Sequence, residues 1–133
     1  MGVVGNIPNL WPENISVEYT ITPKAILSRQ AMVITEKTKE HVQGRVETKV
    51  LGRDFTHSLS LVAPKLDNFT QFVLRLRHSI EHTYPVYVFL SENSDTSKEC
   101  ADEEALYALI RAQLGSELIL HMVQSLIAQS DIV

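Results

Sequence analysis

A chain of 133 residues is long enough to bury one hydrophobic core, and its 44% apolar and 21% charged residues are ordinary for a globular protein. A net charge of −4 with a pI near 5.7 argues against a protein whose main task is coating nucleic acid, since such binders need a positive excess to displace counterions from phosphates. Cys100 is the only cysteine, which excludes an internal disulfide and any multi-cysteine metal centre within one chain.

The opening MGVVGNIPNLWPEN lacks the basic start and continuous apolar run of a secretory leader. Asn6 stands where a myristoylation signal carries Ser or Thr. No apolar run approaches the ~20 residues that span a bilayer, so a cytoplasmic chain without a membrane partner is expected. Gly2, Gly5, Pro8 and Pro12 make residues 1–14 a loose arm for which Trp11 or Leu10 would be the anchor, and residues 15–133 read as one domain.

Residues 15–21, ISVEYTI, alternate as a short edge strand or an extended arm. Thr22-Pro23 then signals a helix start, because threonine caps free N–H groups and proline at the first helical position loses no hydrogen bond. Ile26, Leu27, Gln30, Ala31 and Ile34 share one stripe, which predicts a helix over 23–39. The period becomes two in VQGRVETKV, with Val42, Gly44, Val46, Thr48 and Val50 on one side. After the turn LGRD, FTHSLSLVA places Phe55, His57, Leu59, Leu61 and Ala63 on the inner face, completing a β-hairpin.

Residues 69–82, FTQFVLRLRHSIEH, carry two competing patterns. As a helix capped by Asn68, the segment aligns Phe69, Phe72, Val73, Leu76 and Ile80. As a strand it turns Phe72, Leu74, Leu76, His78 and Ile80 inward and Val73, Arg75, Arg77 and Ser79 outward. The strand is favoured: it accounts for Leu74, the opening is aromatic and β-branched, and PKLDN then serves as a five-residue hairpin loop. YPVYVFLS is a further strand, and KEC pairs back on it. Asp102 caps the helix DEEALYALIRAQLG, which stops at Gly115. Ser116 caps a last helix whose Ile119, Leu120, Val123, Leu126 and Ile127 point inward. The sum is an α+β fold: an antiparallel sheet of four to five strands with one N-terminal and two C-terminal helices packed on it.

Taken in order, TPKAILSRQA, LVAPKLDN, YPVYV, ECADEEAL and LIAQS are similar to a group of short bacterial proteins of uncharacterised function. The resemblance covers roughly residues 22–130 and implies a bacterial domain with a strand between LDN and YPV. It carries no activity with it.

Four constellations bear on chemistry. His78 and His82 could chelate zinc only if helical, because four residues of strand separate them by about 13 Å. They lack an obvious third ligand, so neither metal nor cofactor is expected. His57 with Cys100 could form a nucleophilic pair, but Asp102, Glu103 and Glu104 would push the thiol pKa up. Those three carboxylates point about 100° apart on a helix and are explained by its positive end. Arg45, Lys49, Arg75 and Arg77 share the outer sheet face if the strand reading holds, with Tyr87 and Phe89 beside them. Basic and aromatic residues on an open sheet suit either a protein contact or single-stranded nucleic acid; the RNA-platform motif is missing and Glu47 interrupts the patch. The expectation is a non-enzymatic protein-interaction domain, self-associating as a homodimer through Tyr87, Phe89, Arg75 and Arg77 with Trp11 as an arm anchor. The alternatives are a small-ligand or metal-dependent enzyme using His78 and His82 or His57, and a nucleic-acid binder.

Overall fold

The computed structural model describes residues 6–15 and 21–132; the strand expected over 15–21 falls mostly outside them. Helix α1 spans Pro23–Lys37, and the Thr22 hydroxyl accepts from the Ala25 N–H as the expected cap. It ends two residues before the expected boundary, where Lys39 and Glu40 adopt positive φ. Strands β1 (Gln43–Leu51), β2 (Asp54–Ala63), β3 (Phe69–Ser79), β4 (Val86–Phe89) and β5 (Lys98–Cys100) form one antiparallel sheet in chain order. Helices α2 (Glu103–Leu114) and α3 (Glu117–Ile132) complete the expected α+β fold.

The turns follow from residue type. Gly52, at φ +61°, closes the β1–β2 hairpin between the paired Leu51 and Asp54. Between β2 and β3, Pro64–Leu66 make a short 3₁₀ turn and Asp67 and Asn68 take left-handed conformations, which these two side chains tolerate best after glycine. The opening of residues 69–82 is therefore a strand, as the pattern favoured.

The facing along that strand differs from the simple alternation. Ala63 pairs with Phe69 and Ser60 with Phe72, but Leu59 pairs with Leu74, so a bulge stands at Val73. Phe72 therefore lies on the outer face with Ser60, while Val73, expected outside, is buried. Without the extra residue, His57 would oppose Arg75, and Arg75 and Arg77 would enter the core. The slip costs one irregular ladder position and keeps two charges in water. The carbonyl freed at Val73 accepts from the Gln113 side chain of α2 at 2.9 Å, which also ties that helix to the sheet.

One face of the sheet is covered by the three helices. Leu27 and Ala31 of α1, Leu59 and Leu61 of β2, Leu74 and Leu76 of β3, Val86 and Val88 of β4, Leu106 and Ile110 of α2, and Val123 and Leu126 of α3 belong to one buried cluster. Each fully buried Leu contributes about 1.5–3 kcal/mol of transfer free energy. Two residues expected inside are not: Ile80 lies past the end of β3 and Leu120 is on the open side of α3, each about half exposed. Thr48 and Val50 are exposed as well, at the hairpin end of the edge strand β1. Helix α1 reaches β1 through Gly44: a Cβ there would run into the Ala31 backbone, so only glycine permits this approach.

Candidate functional site

The register fixes three rows on the face turned away from the helices. Arg45, Ser60 and Phe72 form the first; Glu47, Ser58, Arg75 and Phe89 the second; Lys49, Thr56, Arg77, Tyr87 and Glu99 the third. All four basic residues named from the sequence, and both aromatics, thus lie on one surface. The small hydroxyl residues of β2 form the floor of a groove of about 400 Å³, walled by Glu47 and Lys49 on one side and by Phe72, Arg75, Arg77 and Phe89 on the other. Trp11 does not line this groove; it is 75% exposed in the arm, where its backbone N–H donates to the Asn9 side-chain oxygen.

The charges on this face are balanced. Arg77 Nε donates to Asp54 Oδ2 at 2.7 Å, and Arg45 stands 3.9 Å from Glu47. The Arg75 guanidinium lies 4.5 Å from the Phe89 ring centroid and donates to the Glu92 carbonyl. Tyr87 donates to Glu99 at 3.3 Å, and the carboxylate raises the phenol pKa above its usual range. Asp54, Glu47, Glu92 and Glu99 thereby offset Arg45, Lys49, Arg75 and Arg77, where a phosphate-binding surface would carry an excess of cations.

The inner face holds a pair that the sequence reading did not join. His57 on β2 and His78 on β3 are buried, and their Nε2 atoms lie 3.1 Å apart. They sit diagonally across the register, since His57 opposes Leu76 and His78 opposes Phe55. With one proton on each ring, the hydrogen-bond partners place both. The Ser79 carbonyl can only accept, so His78 Nδ1 donates to it at 2.9 Å, leaving His78 Nε2 as acceptor. His57 Nε2 donates to that atom, and His57 Nδ1 accepts from the Thr48 hydroxyl at 2.9 Å. Phe55 stacks on His57, with ring centroids 5.5 Å apart. Burial, then the neighbouring His78, then Lys24 lower the His57 pKa from 6.5 to about 4. With both nitrogens of both rings engaged, this wired pair closes the core between two strands and offers no free nitrogen to a ligand.

The remaining candidates separate. His78 is buried at the end of β3 while His82 is exposed beyond it, so the two do not form the helical i, i+4 pair. Among the described residues no three His, Cys, Asp or Glu side chains converge as a metal site. Cys100 lies on β5, three strands from His57 and hence about 14 Å away across the sheet. Burial and then Asp102 push its thiol pKa up. Asp102 itself caps α2, accepting from the Ala105 N–H at 2.8 Å. No helix among the described residues is long and apolar enough to cross a membrane.

Both histidines were assigned to inner faces by alternation, so their shared side was legible; their contact required the register beyond the Val73 bulge. Phe72, absent from the sequence-based set, joins the outer groove for the same reason. Comparison with protein-family models, with curated proteins and with solved structures finds no match to this chain.

Proposed function

We propose that this chain is a non-enzymatic interaction domain that pairs with a second copy of itself through the outer face of its sheet. The observation that carries the reading is the alternation of charge around aromatics on that face: Glu47, Lys49, Arg75 and Glu92 border a groove that includes Phe72 and Phe89. A two-fold interface sets the same patch against itself, so a surface carrying both signs can be arranged with each charge against an opposite one. Arginine and aromatic side chains are the usual energetic centres of such contacts, and the Arg75 guanidinium already stands over the Phe89 ring.

Sedimentation velocity tests this. The native chain should sediment as a dimer, and Tyr87→Ala with Phe89→Ala should sediment as a monomer with unchanged circular dichroism. Arg75→Glu should weaken association as well. A double variant that keeps the native mass would refute this choice of surface, and a native chain that stays monomeric at high concentration would refute self-association. Single-stranded nucleic acid on the same face is the second reading, motivated by the four basic residues. Absence of oligonucleotide binding at low salt removes it.

A further inference from the structure

The helix side of the sheet carries a cleft with a gradient of polarity. Helix α1 is drawn to β1 by the close approach of Gly44 to Ala31, and α2 is tied to β3 through Gln113 and Val73. Between α1 and α3 remains a half-open chamber of about 150 Å³, with Leu59 and Leu61 of β2 as floor, Val33, Ile34 and Val123 among its walls, and Leu114 at the end of α2 beside it. Gln30 and Leu114 line this chamber and also a second one of about 390 Å³, which is bordered by Tyr107 and Arg111. Gln30 and Leu114 thus stand at the boundary between an apolar chamber and one that carries the cationic Arg111.

Arg111 makes no ion pair among the described residues. The acids of its own helix, Glu103 and Glu104, stand two turns earlier, roughly 10–12 Å along the axis. Glu117, at the start of α3, is exposed. Arg111 is the one charged side chain among the described residues that line the second chamber. Among the described residues, Gln30 is the single polar side chain lining the first chamber; it is half-buried and makes no side-chain hydrogen bond to them. The rest of that lining is aliphatic, so water held there finds few hydrogen-bond partners and an alkyl chain can displace it.

We propose that this cleft binds a carboxylate bearing a medium-length aliphatic chain. The carboxylate sits on the Arg111 guanidinium, with the Gln30 amide at the junction, and the chain passes Leu114 into the Leu59–Leu61 notch. A planar guanidinium pairs with a carboxylate through two parallel N–H donors, and the notch accepts only what needs no hydrogen bond. The site lies on the opposite side of the sheet from the proposed interface, so the two readings fail independently.

The test is a titration of the full chain with octanoate below its aggregation concentration, following the methyl resonances of Val33, Ile34 and Val123. Octylamine and octanol serve as charge-reversed and neutral probes. Saturable shifts are expected with octanoate, at least tenfold tighter than with octylamine. Arg111→Gln, an exposed change that leaves the core intact, should weaken octanoate about tenfold and leave octanol unaffected. Val33→Phe should plug the notch and abolish both. Unshifted methyls, equal affinity for octanoate and octylamine, or an Arg111→Gln variant that binds octanoate undiminished would each overturn the proposal. So would a change in these methyls with protein concentration that octanoate fails to compete, because a second copy would then occupy the cleft.

Discussion

Acidification should weaken the fold through one side chain, His57. In the unfolded chain this imidazole takes up a proton near pH 6.5; in the folded protein it does so only near pH 4. Between those values the unfolded state binds more protons, so stability is fully present above pH 6.5 and falls as the pH drops toward 4. The difference of about 2.5 units, at 1.36 kcal/mol each, corresponds to about 3 kcal/mol across the window. The cause is geometric. His57 is 3% exposed, its Nε2 proton is already given to His78, and a further proton on Nδ1 would face the Thr48 hydroxyl that now donates there. Urea titrations at several pH values across the window, on the native chain and on His57→Gln, isolate the contribution. The native chain should lose about 3 kcal/mol more than the variant over the same range. Imidazole ¹⁵N spectra should show the His57 proton on Nε2 and the His78 proton on Nδ1. Parallel pH dependences for the two proteins, or a His57 that titrates near 6.5, would refute the reasoning.

Further predictions rest on single contacts. Gly44→Ala places a Cβ 2.6 Å from the Ala31 Cβ and 2.8 Å from its carbonyl oxygen, so α1 must shift; a loss of about 3 kcal/mol in chemical denaturation is expected, and a loss under 1 kcal/mol would mean that the helix moves freely. Cys100, buried and with a raised pKa, should react with a thiol reagent only as fast as the protein opens, and fully in denaturant; immediate native-state labelling would contradict its burial. Asp102→Ala removes the cap of α2 and should cost about 1 kcal/mol, measured by thermal melting. Asp54→Asn breaks the partly exposed pair with Arg77 and should cost under about 1 kcal/mol by the same measurement.

Much of this fold is written in local patterns. The cap at Thr22, the turns at Gly52 and Asp67-Asn68, and the cap at Asp102 depend on neighbours a few residues away, and each stands where residue type dictates. The outer face was legible because alternation alone sends Arg75 and Arg77 to the side opposite Leu74 and Leu76. The candidate residues Arg45, Lys49, Arg75, Arg77, Tyr87 and Phe89 share a surface for that reason. Trp11 lay beyond such inference, since an arm has no period to place it.

What alternation cannot supply is how many residues oppose how many. The bulge at Val73 adds one residue to β3, sends Phe72 outward and buries Val73 beside Leu74. That shift also brings His78 within reach of His57. Its cause is not local: the hairpin loop sets one register, the arginines require another, and the sheet meets both by inserting a residue whose carbonyl Gln113 then satisfies from forty residues away. The sequence by itself determined which elements form and which side of each strand is apolar, because those depend on period and cap chemistry. Tertiary structure alone decided which histidines meet, which arginine lies on which aromatic, and where the cleft between the helices stays open, because these follow from register and packing between segments far apart in the chain.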